Sequence, residues 1–152
     1  MIEDKKLKNY VLLTSIILFT ASLTQKSYCT TSVCSDSIMV FLLGWAAIMY
    51  DIAGLIWFVN PLLLIAWLTL RKKLKTSMFL SMTAALLSLS FLLVNNIIDN
   101  EAGHHNQIIS YGLGYWLWLG SSLTMLIGTY TLMFRYNNRN SHKAKWNKKF
   151  IR

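Results

Sequence analysis

Charge is scarce in this sequence. Only 14% of its 152 residues are Asp, Glu, Lys or Arg while 55% are hydrophobic, a balance that excludes an ordinary soluble domain. Acids are scarcer still, six against 15 Lys and Arg, which leaves a formal net charge of +9. Cysteine occurs only at Cys29 and Cys34, and this one pair falls short of the two pairs through which a membrane thiol oxidoreductase usually relays electrons. Proline occurs once, at Pro61. No Ser-His-Asp order, Gly-rich phosphate loop or zinc-protease helix motif stands out, so catalysis finds no support in the residues.

What the chain does have is a series of apolar runs between short charged clusters, long enough to cross a hydrocarbon core that needs roughly 17–25 helical residues. The basic clusters are Lys5, Lys6 and Lys8; Arg71, Lys72, Lys73 and Lys75; and the segment from Arg135 to Arg152, with Lys26 the single exception. Asp36, Asp51, Asp99 and Glu101 fall in the other gaps. With every basic cluster on one side, the positive-inside rule places both termini in the cytoplasm. In a soluble protein such a charge excess would raise nucleic-acid binding, but its distribution here favours a lipid surface.

The sequence therefore predicts an all-α membrane protein of the bacterial inner membrane. Four transmembrane helices are expected over residues 9–25, 53–70, 76–98 and 109–134, with a re-entrant or interfacial helix over 38–50 on the periplasmic side. The first run follows a basic head as a secretory signal would. Ala21-Ser22-Leu23 is not a small-residue cleavage site, however, and Ser27-Tyr28-Cys29 makes a poor lipobox, so the run reads as an uncleaved anchor. The apolar stretch from Ile38 to Leu70 is too long for one straight span and too short for two joined by a loop, and Asp51, Gly54 and Asn60-Pro61 are the candidate breaks. Counting two crossings there would place Arg71 to Lys75 outside, against the charge asymmetry.

Small residues recur at helical spacing in the last two runs: Ser77, Ser81, Ala84, Ala85 and Ser88 in one, Gly120, Thr124 and Gly128 in the other. Lipid supplies no hydrophobic drive between helices, so such stripes read as faces of close packing; a polar pore lining is the alternative for the first of them.

Several residues stand out chemically. Cys29 and Cys34 lie in a polar, Ser/Thr-rich outer segment, and a structural disulfide is favoured over free thiols in an oxidising periplasm. Asp51, with Asn60, is the candidate intramembrane polar site, because a carboxyl in hydrocarbon needs a partner or a raised pKa; a helix cap at a wet boundary is the plainer reading. Asp99, Glu101, His104 and His105 form a candidate periplasmic recognition or metal site, since imidazole and carboxylate suit zinc or copper. Adjacent histidines point apart and Gly103 suggests a turn, so a solvated loop is favoured and no cofactor is expected. Arg135, Arg139, Lys143, Lys145, Trp146, Lys148 and Lys149 form a basic cytoplasmic tail over residues 135–152, expected to lie along the anionic inner leaflet.

Phe41-Leu42-Leu43-Gly44-Trp45, Trp57-Phe58-Val59-Asn60-Pro61-Leu62-Leu63-Leu64, Asn100-Glu101-Ala102-Gly103 and Tyr111-Gly112-Leu113-Gly114-Tyr115-Trp116-Leu117-Trp118 resemble motifs of an uncharacterised family of small bacterial inner-membrane proteins. That resemblance implies a location and supplies neither an activity nor catalytic residues. The function expected is that of a non-enzymatic interaction protein with a membrane or periplasmic protein partner. An immunity protein against a membrane-active toxin or an accessory subunit of an envelope complex fits this description. The alternatives are a small proton-coupled transporter acting through Asp51, although duplicated halves with paired broken helices are not evident, and a membrane thiol oxidoreductase.

Overall fold

Two segments that flank apolar runs are rich in Thr, Tyr, Ile and Ser, residue types suited to a pleated, half-buried surface. In the computed structural model both are strands. The structure describes the backbone of residues 2–49, 52–98 and 105–150, and the side chains of 3–49, 53–97 and 106–141. Along the chain come α1 (Ile2–Leu23), β1 (Lys26–Thr30), β2 (Cys34–Asp36), α2 (Ser37–Leu43), α3 (Val59–Thr69), α4 (Leu74–Ser90), β3 (Asn96–Ile98), β4 (His105–Tyr111) and α5 (Leu113–Phe150). Tight 3-10 turns fill Gly44–Met49, Ile52–Phe58 and Phe91–Leu93.

The expectation of an all-α fold is corrected by a four-stranded antiparallel sheet in the order β2-β1-β4-β3. Its centre is a long-range pairing: Tyr28 of β1 lies opposite Tyr111 of β4, and Cys29 opposite Ser110. Two of the expected spans shorten as a result. Residues 96–98, assigned to the third, are in β3, and 109–111, assigned to the fourth, are in β4. Two helices are long and apolar enough to cross a membrane, Leu74–Leu93 and Leu113–Ser141, while the apolar helices Ser37–Met49 and Ala53–Thr69 are shorter. The first run is a helix whose opening turns carry Glu3, Asp4, Lys5, Lys6 and Lys8. The last helix continues unbroken to Phe150, past the boundary expected at residue 134.

Between α2 and α3 the chain doubles back. The Trp57 indole N–H donates to the Phe41 carbonyl at 2.8 Å, tying the 3-10 turn Ile52–Phe58 back onto α2. Gly54 lies so close to the Ala47–Ile48 peptide that no Cβ fits.

The helices meet through small and polar residues. Ser77, Ser81, Ala84, Ala85 and Ser88 are all buried, as close packing of the α4 stripe requires, and Ser15, Ser22, Ser121, Ser122 and Thr129 join them inside. A cluster of Val11, Phe19, Leu63, Ala66, Leu70, Met125 and Leu132 ties α1, α3 and α5 together. The outer surface is the reverse: Leu13, Ile17, Ile65, Leu68, Phe79, Leu86, Leu93, Ile127 and Phe134 are exposed.

The two ends of this body differ. At one, the sheet joins the C-terminal ends of α1 and α4 to α2 and α5. At the other, Arg71 donates to the Asn9 side chain at 3.1 Å, Lys8 reaches the Arg71 carbonyl at 3.5 Å, and Arg139 pairs with Asp4. Lys8, Arg71 and Arg139, one from each basic cluster, thus lie at the end opposite the sheet.

Candidate functional site

The sheet end brings together loops that are far apart in sequence. Cys29 and Cys34 face each other across the β1–β2 ladder with their Cα atoms 3.9 Å apart, and they form a disulfide. The hairpin tip is closed by the Thr30 N–H on the Val33 carbonyl at 2.8 Å. It is also tied to the other loop: the Thr31 N–H donates to the Gln107 carbonyl at 3.1 Å, and the Asn106 side-chain amide to the Ser32 hydroxyl at 3.0 Å. Lys26, the one Lys or Arg at this end among the described residues, pairs with Asp36 at 2.8 Å across the same ladder. The resulting surface is braced on both sides and balanced in this charge pair, with Val33 and Ile109 more than half exposed on it.

Under the sheet lies a layer of rings. Phe91 contacts Tyr28, Tyr111 and Tyr115 with ring centroids 5.5–5.7 Å apart, and Tyr111 packs on Tyr115 at 4.9 Å. Aromatic pairs at such separations add to the area they bury. Their hydroxyls hold the end of α4: Tyr111 donates to the Phe91 carbonyl at 3.1 Å, and Tyr115 to the Ser88 carbonyl at 3.0 Å. The Phe91 carbonyl also accepts the Val94 N–H at 3.1 Å, so the Tyr111 hydroxyl adds a side-chain bond to the turn that ends α4. Burial pushes the Tyr111 hydroxyl pKa above its ordinary value of 10.0, keeping it a neutral donor.

The Tyr111-Gly112-Leu113-Gly114 motif positions this layer. The Gly112 N–H donates to the Ser27 carbonyl at 2.8 Å. A Cβ on either Gly112 or Gly114 would run into the Lys26 carbonyl, so α5 starts this close to β1 only because both residues are glycine.

Inside the helical body Asn60 is buried, and its side-chain oxygen accepts the Trp118 indole N–H at 3.0 Å. Asp51, its expected companion, lies outside the described residues. Other interior polar contacts went unforeseen. The Trp67 indole donates to the Ser15 hydroxyl at 2.9 Å, Ser15 and Ser121 donate to each other's carbonyls at 3.0 and 2.8 Å, and Ser81 bonds Thr129 at 3.0 Å. Serines recurring in apolar runs are the signal for such a network; which hydroxyl meets which depends on how the helices cross.

Of the expected metal or recognition set, Asp99, Glu101 and His104 lie outside the described residues, and His105 is described only as backbone, paired with Ile98 at the start of β4. Among the described residues no three of His, Cys, Asp and Glu gather as metal ligands would. In the basic segment, Arg135 is exposed and Arg139 holds Asp4, whose carboxyl is kept below its ordinary pKa by that hydrogen bond and charge. Lys143, Lys145, Trp146, Lys148 and Lys149 follow on α5, their side chains outside those described. Comparison with protein-family models, with curated proteins and with solved structures finds no match to this chain.

Proposed function

We propose that this chain is a multi-pass protein of the bacterial inner membrane that works by recognition, with its sheet in the periplasm and its basic end in the cytoplasm. In this reading α1, α4, α5 and the 3-10 turn Ile52–Phe58 continued by α3 cross the bilayer, and α2 with the 3-10 turn Gly44–Met49 forms a re-entrant or interfacial segment on the periplasmic side. Support comes from the distribution of side chains: hydroxyls and alanines are buried beside the aliphatic cluster, while many large aliphatic and aromatic groups face outward, which suits a lipid solvent. Support also comes from length. The 3-10 turn Ile52–Phe58 continued by α3 reaches about 30 Å, since a 3-10 helix rises about 2.0 Å per residue and an α-helix about 1.5 Å. That matches a hydrocarbon core of about 30 Å.

The observation that carries the recognition reading is the fusion of both periplasmic loops into one disulfide-tied sheet. A surface held rigid before binding loses little entropy when it docks, and exposed Val33 and Ile109 offer apolar anchors within a polar rim. The partner is a membrane or periplasmic protein. An immunity protein that blocks insertion of a membrane-active toxin, or an accessory subunit of an envelope complex, needs such a surface and no catalytic group.

The test is site-specific photo-crosslinking in the native membrane, with the photoreactive residue at Val33, at Ile109 or, as a lipid-facing control, at Leu68. A single adduct of defined mass from the first two positions and none from the third is the expected result. Absence of a specific adduct at both sheet positions removes the recognition reading.

A further inference from the structure

At the basic end, the start of α4 and the far part of α5 leave an open cleft of about 360 Å³ between them, lined by Lys75, Met78, Phe79, Met82, Met133 and Asn137. Its polarity is graded. Lys75, Met78, Phe79 and Met82 follow each other along one face of α4, and Met133 and Asn137 are one turn apart on α5. The polar pair Lys75 and Asn137 is at the mouth, next to the turn that carries Arg71, Lys72 and Lys73. Met82 is seven residues deeper, about 10 Å along the helix. A ligand that fills this cleft therefore has an anionic or strongly accepting head and a flexible apolar extension.

We propose that the α4–α5 cleft is a site for one anionic phospholipid of the cytoplasmic leaflet, its phosphate on Lys75 and Asn137 and the upper part of one acyl chain along Met78, Met82 and Met133. The charge at this end fits that occupant: Arg71, Lys72 and Lys73 lead directly into Lys75 in sequence, and Asp4, one of the acids at this end, is engaged by Arg139. Three methionines suit an acyl chain because their unbranched, polarisable side chains adapt to an irregular apolar partner. A free phosphate would leave that apolar wall unused. The inference rests on the membrane reading above and adds to it a defined site in place of a diffuse basic surface.

The full-length protein, purified in detergent, is loaded with phosphatidylglycerol, phosphatidylethanolamine or inorganic phosphate, and the lipid retained is counted by native mass spectrometry. Wild type is expected to keep one phosphatidylglycerol in preference to phosphatidylethanolamine. Lys75→Gln, an exposed change that leaves the fold intact, lowers retention about fivefold, the weight of one basic residue at an anionic surface. Met133→Trp, which fills the cleft, abolishes it, while Lys6→Gln on α1 leaves it unchanged. Equal retention of both lipids, or retention indifferent to both cleft variants, overturns the site, and displacement of the lipid by inorganic phosphate alone reassigns it to a free anion. Labelling of Lys72→Cys and Gln107→Cys with an impermeant maleimide in intact cells separates the two levels: opposite accessibility with no lipid retained sinks the cleft alone, and equal accessibility sinks the topology beneath it.

Discussion

Ser15 sits where α1, α3 and α5 meet, and its hydroxyl is used twice, as acceptor for the Trp67 indole at 2.9 Å and as donor to the Ser121 carbonyl at 3.0 Å. Ser15→Ala leaves the part-buried Trp67 indole without its acceptor and removes an interhelical donor from the Ser121 carbonyl, and we expect a loss of about 1–2 kcal/mol in reversible unfolding, the upper range for interhelical hydrogen bonds within membranes. Thr131→Ala is the control. That exposed hydroxyl bonds only the Ile127 carbonyl of its own helix, so its removal changes stability by less than about 0.5 kcal/mol. Asp4 makes a pH-dependent case. Its carboxyl is held below the ordinary 3.8 chiefly by the hydrogen bond from Arg139. The contribution is present above the unfolded-state pKa and is lost as pH falls through the depressed folded value. A carboxyl-carbon NMR titration of Asp4 should give a midpoint under 3.8 that returns toward it in Arg139→Gln. An unchanged midpoint in the variant shows that the contact does not hold the charge.

Glycine and cysteine decide the elements. In α5 the sequence spacing groups Gly120, Thr124 and Gly128 as one close-packing face, and the structure separates them. A Cβ on Gly128 would collide with Val11 of α1, whereas one on Gly120 would meet only the Leu18 side chain at an ordinary 3.8 Å. Gly120→Ala is therefore expected to stabilise α5 by up to about 1 kcal/mol, the helix-propensity difference. Gly114→Ala, whose Cβ would press on Ser37 and the Lys26 carbonyl, is expected to cost about 1–3 kcal/mol as overpacking does. Denaturant midpoints of the two variants shifting in the same direction would refute this contrast. The disulfide acts on the neighbouring element. Replacing Cys29 and Cys34 by Ser reopens a short loop, and chain entropy puts the loss at about 2 kcal/mol. Faster amide exchange at Thr31 and Gln107 in the Ser variant would show that the loss is felt where the hairpin tip meets β4.

At the scale of the molecule, the alternation of basic and other gaps along the chain anticipated that Lys8, Arg71 and Arg139 would share one end and Lys26 the other, and their contacts in the fold place them so. The small-residue stripe of α4 was legible for the same reason: burial of small residues at helical spacing is a local rule with one outcome. The sheet was not. Its strands are three to seven residues long, and β1 finds its main partner some 80 positions away at Tyr111, a pairing that no local pattern announces. Topology gives the whole-molecule prediction. With impermeant reagent on intact cells, Gln107→Cys labels and Lys72→Cys labels only after the membrane is opened.

Composition and charge order alone determined the apolar runs and the common end of Lys8, Arg71 and Arg139, because hydropathy and the sign of charge act residue by residue. Only the tertiary structure decided which hydroxyls meet in the interior, which glycines lie at a close approach, and that two separate loops close into one braced sheet. Those outcomes depend on distances between residues remote in sequence, and such distances exist only once the helices have packed.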